Sequence, residues 1–232
     1  HWMQGEFGHD RKDVGGLIRT FMETFKNKNP KNQPALLLKT SSATFSVTDR
    51  EQILAKIESV KSSVDSKNLP NVYLLHGNLT EEELNSLYNH PKIKAMVSFT
   101  HGEGFGRPLL EFGITGKPVI APNWSGHVDF LSENGLMLAG KLQQVHPSVV
   151  WDGVILKESA WFYVDYGYAS GLLRDMEKNY KNYQKKSRKQ TQYIKENFTL
   201  DQMTDLFGKQ LEKYVPSFEM ELPKLEELQT YE

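Results

Sequence analysis

Apolar residues recur three or four positions apart in two long stretches of the chain, residues 13–28 and residues 46–64. This spacing predicts amphipathic helices, each with one buried face. Ser46 and Thr48 are the two candidate N-caps of the second helix. A third, shorter helix is predicted over residues 80–90, because the letters TEEE form a capping box at its start.

Five short apolar runs are predicted to be strands: PALLLKT, NVYLLHG, KAMVSFT, KPVIAPN and GLMLAG. Each run is almost entirely apolar instead of alternating between apolar and polar residues, which is typical of parallel strands covered on both faces. Strands and helices alternate over roughly the first 140 residues. This order predicts an α/β fold with a single Rossmann-like, doubly wound parallel sheet.

The regular pattern ends near Gly140. An aromatic stretch follows, which we predict to be irregular, and then C-terminal helices, the last of them capped by Thr199 or Asp201. We expect one domain over residues 1–214. The acidic segment over residues 215–232 contains two prolines and is expected to be a frayed or disordered tail, with docking on a partner surface as the weaker alternative.

Composition narrows the function classes. The chain has 232 residues, of which 38% are hydrophobic and 25% charged, and its net charge is −1. This supports a folded core and argues against non-specific nucleic-acid binding as the main function. The absence of cysteine excludes disulfides and thiolate chemistry. No apolar run approaches about 18 residues and no signal-peptide pattern opens the sequence, so we expect a cytoplasmic protein.

A basic segment near the C-terminus, KNYKNYQKKSRKQTQYIK, carries interleaved tyrosines. Two interpretations are open: an anionic partner such as nucleic acid or a membrane surface, or a solvated helix face whose tyrosines pack inward. The charge balance of the whole chain favours the second. We therefore expect no nucleic-acid partner and keep peripheral membrane contact as the weaker alternative.

A glycine-rich turn, HGEGFG, joins a predicted strand to a helix that opens at RPLLEFG, with proline at or near its first position. In a doubly wound sheet this turn lies at the carboxyl edge, where such folds bind ligands. The free N–H groups of the helix start favour an anion, and Glu103 and Glu111 are suitable acceptors for sugar hydroxyls. Taken alone, a purely structural strand–helix joint is the simpler interpretation.

The longer segment EGFGRPLLEFGITGKPVIAPNWSGHVDFL resembles the donor-binding signature of the glycosyltransferase group 1 family. Members of that family are retaining enzymes of the GT-B fold that use nucleotide sugars. The segments RKDVGGLIRTF and NVYLLHGNLTEEELNSLY are similar to the family's first donor-domain helix and to a later strand–helix segment. The resemblance covers about residues 10–140, and the helices beyond are similar only in layout.

The resemblance implies a role for each charged residue of the turn. It implies that Glu111 binds the nucleotide ribose, and that Glu103 contacts a donor-sugar hydroxyl and faces the reacting carbon. Lys12, which opens the first helix, is implied to bind the diphosphate, and we place Glu103 and Lys12 as the catalytic residues. The backbone amides expected against the sugar and diphosphate are those of Gly104, Phe105 and Gly106.

The resemblance also implies two further walls of the site. The loop after the second strand is expected to pack on the base, and the loop after the fourth strand to line the sugar pocket. The base loop comprises Gly77, Asn78 and Leu79, and the sugar-pocket loop contributes Gly126 and His127.

The sequence departs from the family pattern in three places. An arginine usually precedes the helix lysine by five positions, and this chain has Phe7 there; either Arg11 replaces its charge or an insertion displaces the alignment. Arg107 stands where an aliphatic residue is usual, and it either reaches the diphosphate or acceptor or is solvated. Lys39 ends a strand where glycine is frequent, and it is either an exposed strand end or a replacement for the missing charge.

Four other residues near the turn have open roles. His101 and His127 are either ligand contacts or turn residues; for His101 we favour a turn residue with a solvated ring. Trp124 either stacks on a sugar or packs against the protein. Asp129 is expected to be an acid at a helix start rather than a catalyst.

The sequence contains no D-x-D cluster and no metal-binding histidine spacing, so we expect no metal and no other cofactor. The expected function is sugar transfer from a UDP-, GDP- or ADP-linked donor, with retention implied by the resemblance. GT-B enzymes have two α/β domains, and this chain contains one. We expect the N-terminal acceptor-binding domain to be missing, and the chain alone to bind nucleotide sugar weakly with little turnover. The alternative is a non-catalytic nucleotide- or glycan-binding module of the same fold.

Overall fold

A computed structural model describes residues 9–42, 44–131 and 134–216. The chain divides into two compact units, the first ending at Lys195 and the second beginning at Glu196. Phe7 and most of the expected tail lie outside the described residues. No helix in the described ranges is long and apolar enough to cross a membrane.

The first unit contains seven helices and seven strands among its described residues. The helices are α1 (Val14–Phe25), α2 (Val47–Ser62), α3 (Glu81–Asn89), α4 (Arg107–Gly113), α5 (Val128–Leu131), α6 (Tyr166–Lys178) and α7 (Tyr180–Asn197), which runs on into the second unit. The strands are β1 (Leu36–Lys39), β2 (Val72–Leu75), β3 (Met96–Val97), β4 (Val119–Pro122), β5 (Leu136–Leu138), β6 (Gly140–Gln144) and β7 (Ala160–Val164). A 3-10 turn covers Pro147–Val149, and the second unit contains α8 (Leu200–Tyr214).

The five predicted strands are confirmed and are parallel, which confirms the α/β class. Their hydrogen bonding falls into two ladders, β1–β2 and β3–β4–β5. In the first, Leu36 is paired with Val72; in the second, Val97 is paired with Ile120 and Ile120 with Leu136. Within the described ranges no strand bonds join β1 to β3, so the expected single sheet is divided between them.

The stretch after Gly140, predicted to be irregular, is in part an antiparallel hairpin of β6 and β7, so that prediction was wrong. In β7, Phe162 and Val164 are buried while their neighbours are more exposed, which is the alternation of a one-sided strand. The strand β6 is exposed throughout, so its sequence carries no apolar signal. Gly140 permits the pairing, because a Cβ there would lie 2.2 Å from the Tyr163 carbonyl oxygen.

The helix α1 is buried on two sides rather than on the single face that its spacing predicted. One side contributes Leu17 and Phe21 to a core cluster with Phe99 of the β3 region. The other side packs Ile18 against Leu38 of β1. Apolar residues occur in adjacent pairs along α1, such as Leu17 with Ile18 and Phe21 with Met22. One member of each pair packs in each cluster, so the helix lies between two cores and contacts both ladders.

Three predicted helix starts are confirmed by their caps. Ser46 accepts a hydrogen bond from the backbone of α2, Thr80 forms a capping box at α3, and Thr199 forms one at α8. The basic segment forms most of α7, whose lysines are exposed. The hydroxyls of Tyr180 and Tyr183 donate to groups of the same unit, as predicted for tyrosines that pack inward.

Candidate functional site

The glycine-rich turn connects β3 to α4 at the carboxyl end of the strand. Gly106 directly precedes α4 with a φ of +87°, a left-handed conformation that glycine adopts readily. Its carbonyl accepts from the backbone N–H of Leu109, and Pro108 lies in the first turn, where a missing N–H is harmless. Gly104 and Phe105 are exposed at the tip of the turn. That the backbone amides of this turn lie against a sugar and diphosphate stays a prediction.

The loop after β4 is bonded directly to this turn. The Glu103 N–H donates to Ser125 Oγ at 3.1 Å, and the Ser125 hydroxyl donates back to the Glu103 carbonyl at 2.6 Å. The Gly126 N–H donates to the same carbonyl at 3.0 Å. A Cβ on Gly126 would lie 2.0 Å from the Gly104 carbonyl oxygen, so this close approach requires glycine.

The start of α1 supplies two cations to the same place. Lys12 Nζ forms an ion pair with Glu103 Oε1. Arg11 Nη1 donates to the Gly102 carbonyl at 3.3 Å and lies 3.9 Å from Glu103 Oε2. The His101 N–H donates to the Arg11 carbonyl at 2.9 Å and aligns the two segments. Residues about 90 positions apart in sequence thus form one charged cluster at the carboxyl edge.

The position of Lys12 depends on a buried acidic cap that is not among the predicted site residues. Asp13 is fully buried, accepts from the Gly16 N–H at 3.2 Å and from the Tyr166 hydroxyl at 2.7 Å, and has a φ of +45°. Asp10 is buried beside it and accepts from the Lys12 N–H at 3.2 Å. The sequence DRKDVGG contained the information for this cap, because an aspartate often occupies the N-cap position directly before a helix.

Burial changes the titration of this cap. Desolvation raises the pKa of Asp13 to about 8, and the nearby Asp10 carboxylate adds to the increase, against the opposing hydrogen bonds from Tyr166 and Gly16. Desolvation likewise raises the pKa of Asp10 and lowers the pKa of the Lys12 ammonium, the latter opposed by Glu103. Glu103 therefore helps to keep Lys12 charged in its half-buried position.

The two histidines beside the turn are both buried. The expected solvated ring of His101 was wrong: His101 is 2% exposed, contacts the Phe162 carbonyl through Nδ1 at 2.8 Å and stacks on Trp161. His127 is completely buried, with Nε2 2.7 Å from the Pro122 carbonyl oxygen. Desolvation lowers the pKa of both rings. Both rings are held by backbone carbonyl groups inside the protein and are almost inaccessible to a ligand in this structure.

The second glutamate faces a different pocket. Glu111 Oε1 accepts from Arg107 Nε at 2.5 Å, one helical turn earlier, and Arg107 is largely exposed. The pair lines a cavity of about 320 Å³ between α3 and α4, together with Asn85 and Tyr88. Arg107 thus neutralises Glu111 in this structure, and Glu103 is paired elsewhere, with Lys12.

The expected base loop lies after β2. Gly77 has a φ of +117°, and its carbonyl accepts from Lys39 Nζ at 2.5 Å. The Lys39 side chain therefore bridges the ends of β1 and β2, and burial lowers its pKa. Asn78 is exposed and Leu79 is partly buried. No hydrogen bond or ion pair found in the described ranges links this loop to Lys12 or Glu103.

Two aromatic rings stay exposed beside the turn. Phe105 is 40% exposed and contacts the Phe130 ring, with 5.3 Å between centroids. Trp124 is 42% exposed and stacks nearly parallel on Phe162. Asp129 lies in the first turn of α5, as predicted. In the part of the chain that the structure describes, no group of three His, Asp or Glu side chains is arranged to hold a metal ion.

Comparisons with known proteins bear on the fold. Neither a scan against protein-family models nor a search among curated proteins found a match. Among solved structures, the C-terminal domain of LpcC from Francisella tularensis, a glycosyl transferase group 1 family protein, is 15% identical with a TM-score of 0.55; the match covers 82% of this chain and 81% of that chain.

Two longer proteins match as well. HepE from Anabaena, solved in complex with UDP-glucose, is 14% identical with a TM-score of 0.57, and the match covers 88% of this chain and 46% of HepE. Sucrose-phosphate synthase from Thermosynechococcus elongatus is 17% identical with a TM-score of 0.57, over 88% of this chain and 43% of that chain. This chain therefore spans less than half the length of these two relatives.

The fold of this chain is that of a GT-B glycosyltransferase domain. More particularly, it corresponds to the C-terminal domain, because the isolated C-terminal domain of LpcC is matched over most of its length. The fold implied by the sequence resemblance is confirmed.

Proposed function

We propose that this chain is the donor-binding domain of a glycosyltransferase, which transfers a sugar from a nucleotide-diphosphate sugar to an acceptor. The observation that carries the proposal is the convergence of Lys12 and Arg11 on Glu103 at the glycine turn. A strand–helix joint with a purely structural role needs the glycines. It does not need a carboxylate in the turn that pairs with two cations from a distant segment. HepE, which has a similar fold, was solved with UDP-glucose.

The chemistry of this cluster suits a diphosphate leaving group. Charge develops on the diphosphate as the bond to the sugar breaks, and fixed cations and backbone N–H groups stabilise that charge best where water is excluded. Lys12 is half-buried and Arg11 more exposed, which gives one fixed and one adaptable cation. Gly104 and Phe105, both exposed residues of the turn, provide the N–H groups.

Each glutamate has a distinct role in this proposal. Glu103 accepts a hydrogen bond from a hydroxyl of the donor sugar. It is free to do so once the ammonium group of Lys12 has moved to the diphosphate. Glu111 accepts the ribose hydroxyls after it separates from Arg107, whose exposed side chain can swing away at little cost. Transfer follows a retaining, front-face route, in which the leaving phosphate oxygen assists deprotonation of the acceptor. No step requires a metal.

A thermal-shift titration tests the proposal. UDP, GDP, ADP and UDP-glucose are added to the chain, since a ligand at 100 times its dissociation constant adds about 2.7 kcal/mol to the free energy of unfolding. We expect one nucleotide class to raise the melting temperature, Glu111→Ala to reduce the shift, and Glu212→Ala, at an exposed position of α8, to leave it intact. Absence of any shift, or a full shift in Glu111→Ala, contradicts the site.

A turnover assay separates the enzyme from the binding module. The nucleotide released from the donor is measured for the chain and for Glu103→Gln, which keeps the size of the side chain and removes its charge. Donor turnover that Glu103→Gln abolishes supports a transferase. Nucleotide binding without turnover, unchanged when an acceptor domain of a GT-B protein is supplied, points to the non-catalytic module.

A further inference from the structure

The backbone of Trp124 is fixed on both sides in the loop after β4. Trp124 directly precedes Ser125, whose hydroxyl group exchanges two hydrogen bonds with the backbone of Glu103. The preceding residue, Asn123, donates its N–H to the Leu138 carbonyl in β5 at 3.0 Å. Trp124 is therefore held between β5 and the glycine turn that carries Glu103.

The ring of Trp124 is fixed as well. It lies parallel to the ring of Phe162 in β7, with 5° between the planes and 6.3 Å between the centroids, which is an offset stack. Phe162 is itself bonded to the segment before the turn. Its N–H donates to the His101 carbonyl at 3.3 Å, and its carbonyl contacts His101 Nδ1 at 2.8 Å. Two separate connections, one through Ser125 and one through Phe162, thus place the indole near Glu103.

The two stacked rings differ in their access to ligands. Phe162 is buried, whereas 42% of Trp124 is exposed. A single exposed apolar side chain is common on protein surfaces and needs no special explanation. What distinguishes Trp124 is its setting: a large flat ring, held in two ways, beside a site that also contains the Glu103 carboxylate and two cations.

The apolar surface around Trp124 is small. On the hairpin face that carries Phe162, the strand β6 contributes Gly140, Leu142 and Gln144. Leu142 is the large apolar side chain of these three, and it is 46% exposed. With a glycine on one side and an amide on the other, this patch suits a single ring better than an acyl chain or a peptide helix.

A pyranose ring matches this combination of groups. One face of many pyranoses exposes C–H groups, whose partial positive charge is attracted to the negative face of an aromatic ring. The hydroxyl groups at the edge of the sugar need hydrogen-bond acceptors. The carboxylate of Glu103 and the amide of the exposed Asn123 supply such acceptors near the indole. Ligand sites commonly combine aromatic surface with a few polar groups in this way.

We propose that Trp124 is a stacking platform for a sugar ring of the acceptor, so that the acceptor is a saccharide. This inference rests on the proposed function, in which Glu103 contacts the donor sugar. Transfer requires the acceptor oxygen within about 3–3.5 Å of the reacting carbon, so the acceptor has to be held beside the donor. The indole packs on β7 and not on the glycine turn, so a ring stacked on it lies beside the donor sugar and does not replace it.

The indole N–H signal of Trp124 in the NMR spectrum of the isotope-labelled chain tests this proposal. The signal is identified by its loss in Trp124→Phe. Methyl α-glucopyranoside, methyl α-mannopyranoside, methyl β-galactopyranoside and maltotriose are titrated, with sorbitol and octanoate as controls that have hydroxyls without a ring and an apolar chain without hydroxyls. We expect at least one glycoside to shift the signal and both controls to leave it unchanged. If no glycoside shifts it, or octanoate shifts it as strongly, the proposal is overturned.

Matched variants test the ring itself, with binding followed on the signals of the glycoside. Trp124→Leu should weaken binding of the effective glycoside at least about tenfold, whereas Trp124→Phe keeps an aromatic face and should weaken it less than about threefold. Trp151→Leu is the control, at an exposed tryptophan on the connection between β6 and β7, and should bind like the parent. Equal affinity of Trp124→Leu and the parent contradicts the platform. The titration of the parent chain does not depend on the folding of any variant.

Competition separates the acceptor from the donor. The glycoside titration is repeated at saturating UDP-glucose, GDP-mannose or ADP-glucose, whichever raises the melting temperature. An acceptor sugar binds alongside the donor, so the shift of the Trp124 signal should persist; its loss means that the donor sugar occupies the platform and overturns the proposal. If nucleotide sugars bind but no glycoside does, this inference fails and the proposed function stands. If a glycoside binds through Trp124 while no nucleotide binds, the proposed function fails and the saccharide site stands.

Discussion

Ser125 and Glu103 exchange two hydrogen bonds: the Glu103 N–H donates to Ser125 Oγ, and the Ser125 hydroxyl donates to the Glu103 carbonyl. Ser125 adopts a left-handed conformation with a φ of +79°, which is uncommon for a residue other than glycine. The pair joins the loop after β4 to the turn after β3 and holds the backbone from which the Glu103 side chain reaches Lys12.

Ser125→Ala should therefore weaken the candidate site. It removes both hydrogen bonds and keeps the unfavourable backbone conformation, so we expect a loss of about 1–3 kcal/mol in the free energy of unfolding. Chemical denaturation measures the loss, with Ser62→Ala at an exposed position near the end of α2 as the control, expected within about 0.5 kcal/mol of the parent. Equal stability of the two variants would mean that the two hydrogen bonds between Ser125 and Glu103 contribute nothing to the free energy of unfolding.

Gly126→Ala should distort the turn by direct collision. The new Cβ would lie 2.0 Å from the Gly104 carbonyl oxygen, so one of the two loops has to move, at a cost of about 1–3 kcal/mol. Gly171→Ala is the matched control, since α6 offers open space there and alanine is the better helix former by about 1 kcal/mol. Thermal melts should shift in opposite directions for the two variants; a shift in the same direction is evidence against the close approach.

Lys12→Met should separate diphosphate binding from nucleoside binding. If Lys12 contacts the diphosphate, losing a hydrogen bond to a charged group costs about 1.5–3 kcal/mol, roughly a 10- to 150-fold loss of affinity. Isothermal titration with the nucleoside diphosphate and with the corresponding nucleoside measures the difference, and Lys185→Met on the exposed face of α7 is the control. Equal losses for nucleoside and diphosphate would place Lys12 outside the phosphate contact.

Stability should decrease as pH rises from about 6.5 to 8. The folded protein holds the Asp13 proton up to a pKa of about 8, whereas the unfolded chain releases it near 3.8, so raising the pH favours the unfolded state. The expected slope is on the order of 1 kcal/mol per pH unit. Above pH 6.5 the two buried histidines contribute little, because their lowered pKa values affect stability at lower pH.

Asp13→Asn provides the test of that slope. Asparagine tolerates the left-handed backbone at this position and does not titrate, so the pH dependence between 6.5 and 8 should flatten. Urea denaturation at several pH values measures it for both proteins. A slope that persists unchanged in Asp13→Asn assigns the titration to another group.

Much of the fold was accessible from the sequence. The five parallel strands, the helices between them and the capping box at Thr80 follow from local apolar runs and short-range caps, which depend on neighbouring residues alone. The hairpin of β6 and β7 was missed because β6 is exposed throughout and has no apolar pattern.

The sequence predicted which charged residues belong to the site, but not which of them form ion pairs with each other. Lys12, Glu103 and Glu111 were singled out by their spacing and by a family resemblance, yet no local pattern indicates that Glu103 pairs with Lys12 while Glu111 pairs with Arg107. The buried state of His101 also depends on residues of β7 that lie some 60 positions further along the chain.

The sequence by itself determined the α/β class, the order of elements and the glycines that let the turn form, because these depend on short-range periodicity and backbone freedom. Only the tertiary structure decided which charges meet, that Asp13 is buried and bonded to Tyr166, and that an apolar cavity lies between β1 and β3. Those features arise from contacts between residues far apart in the chain, where desolvation and strand pairing are set by three-dimensional packing.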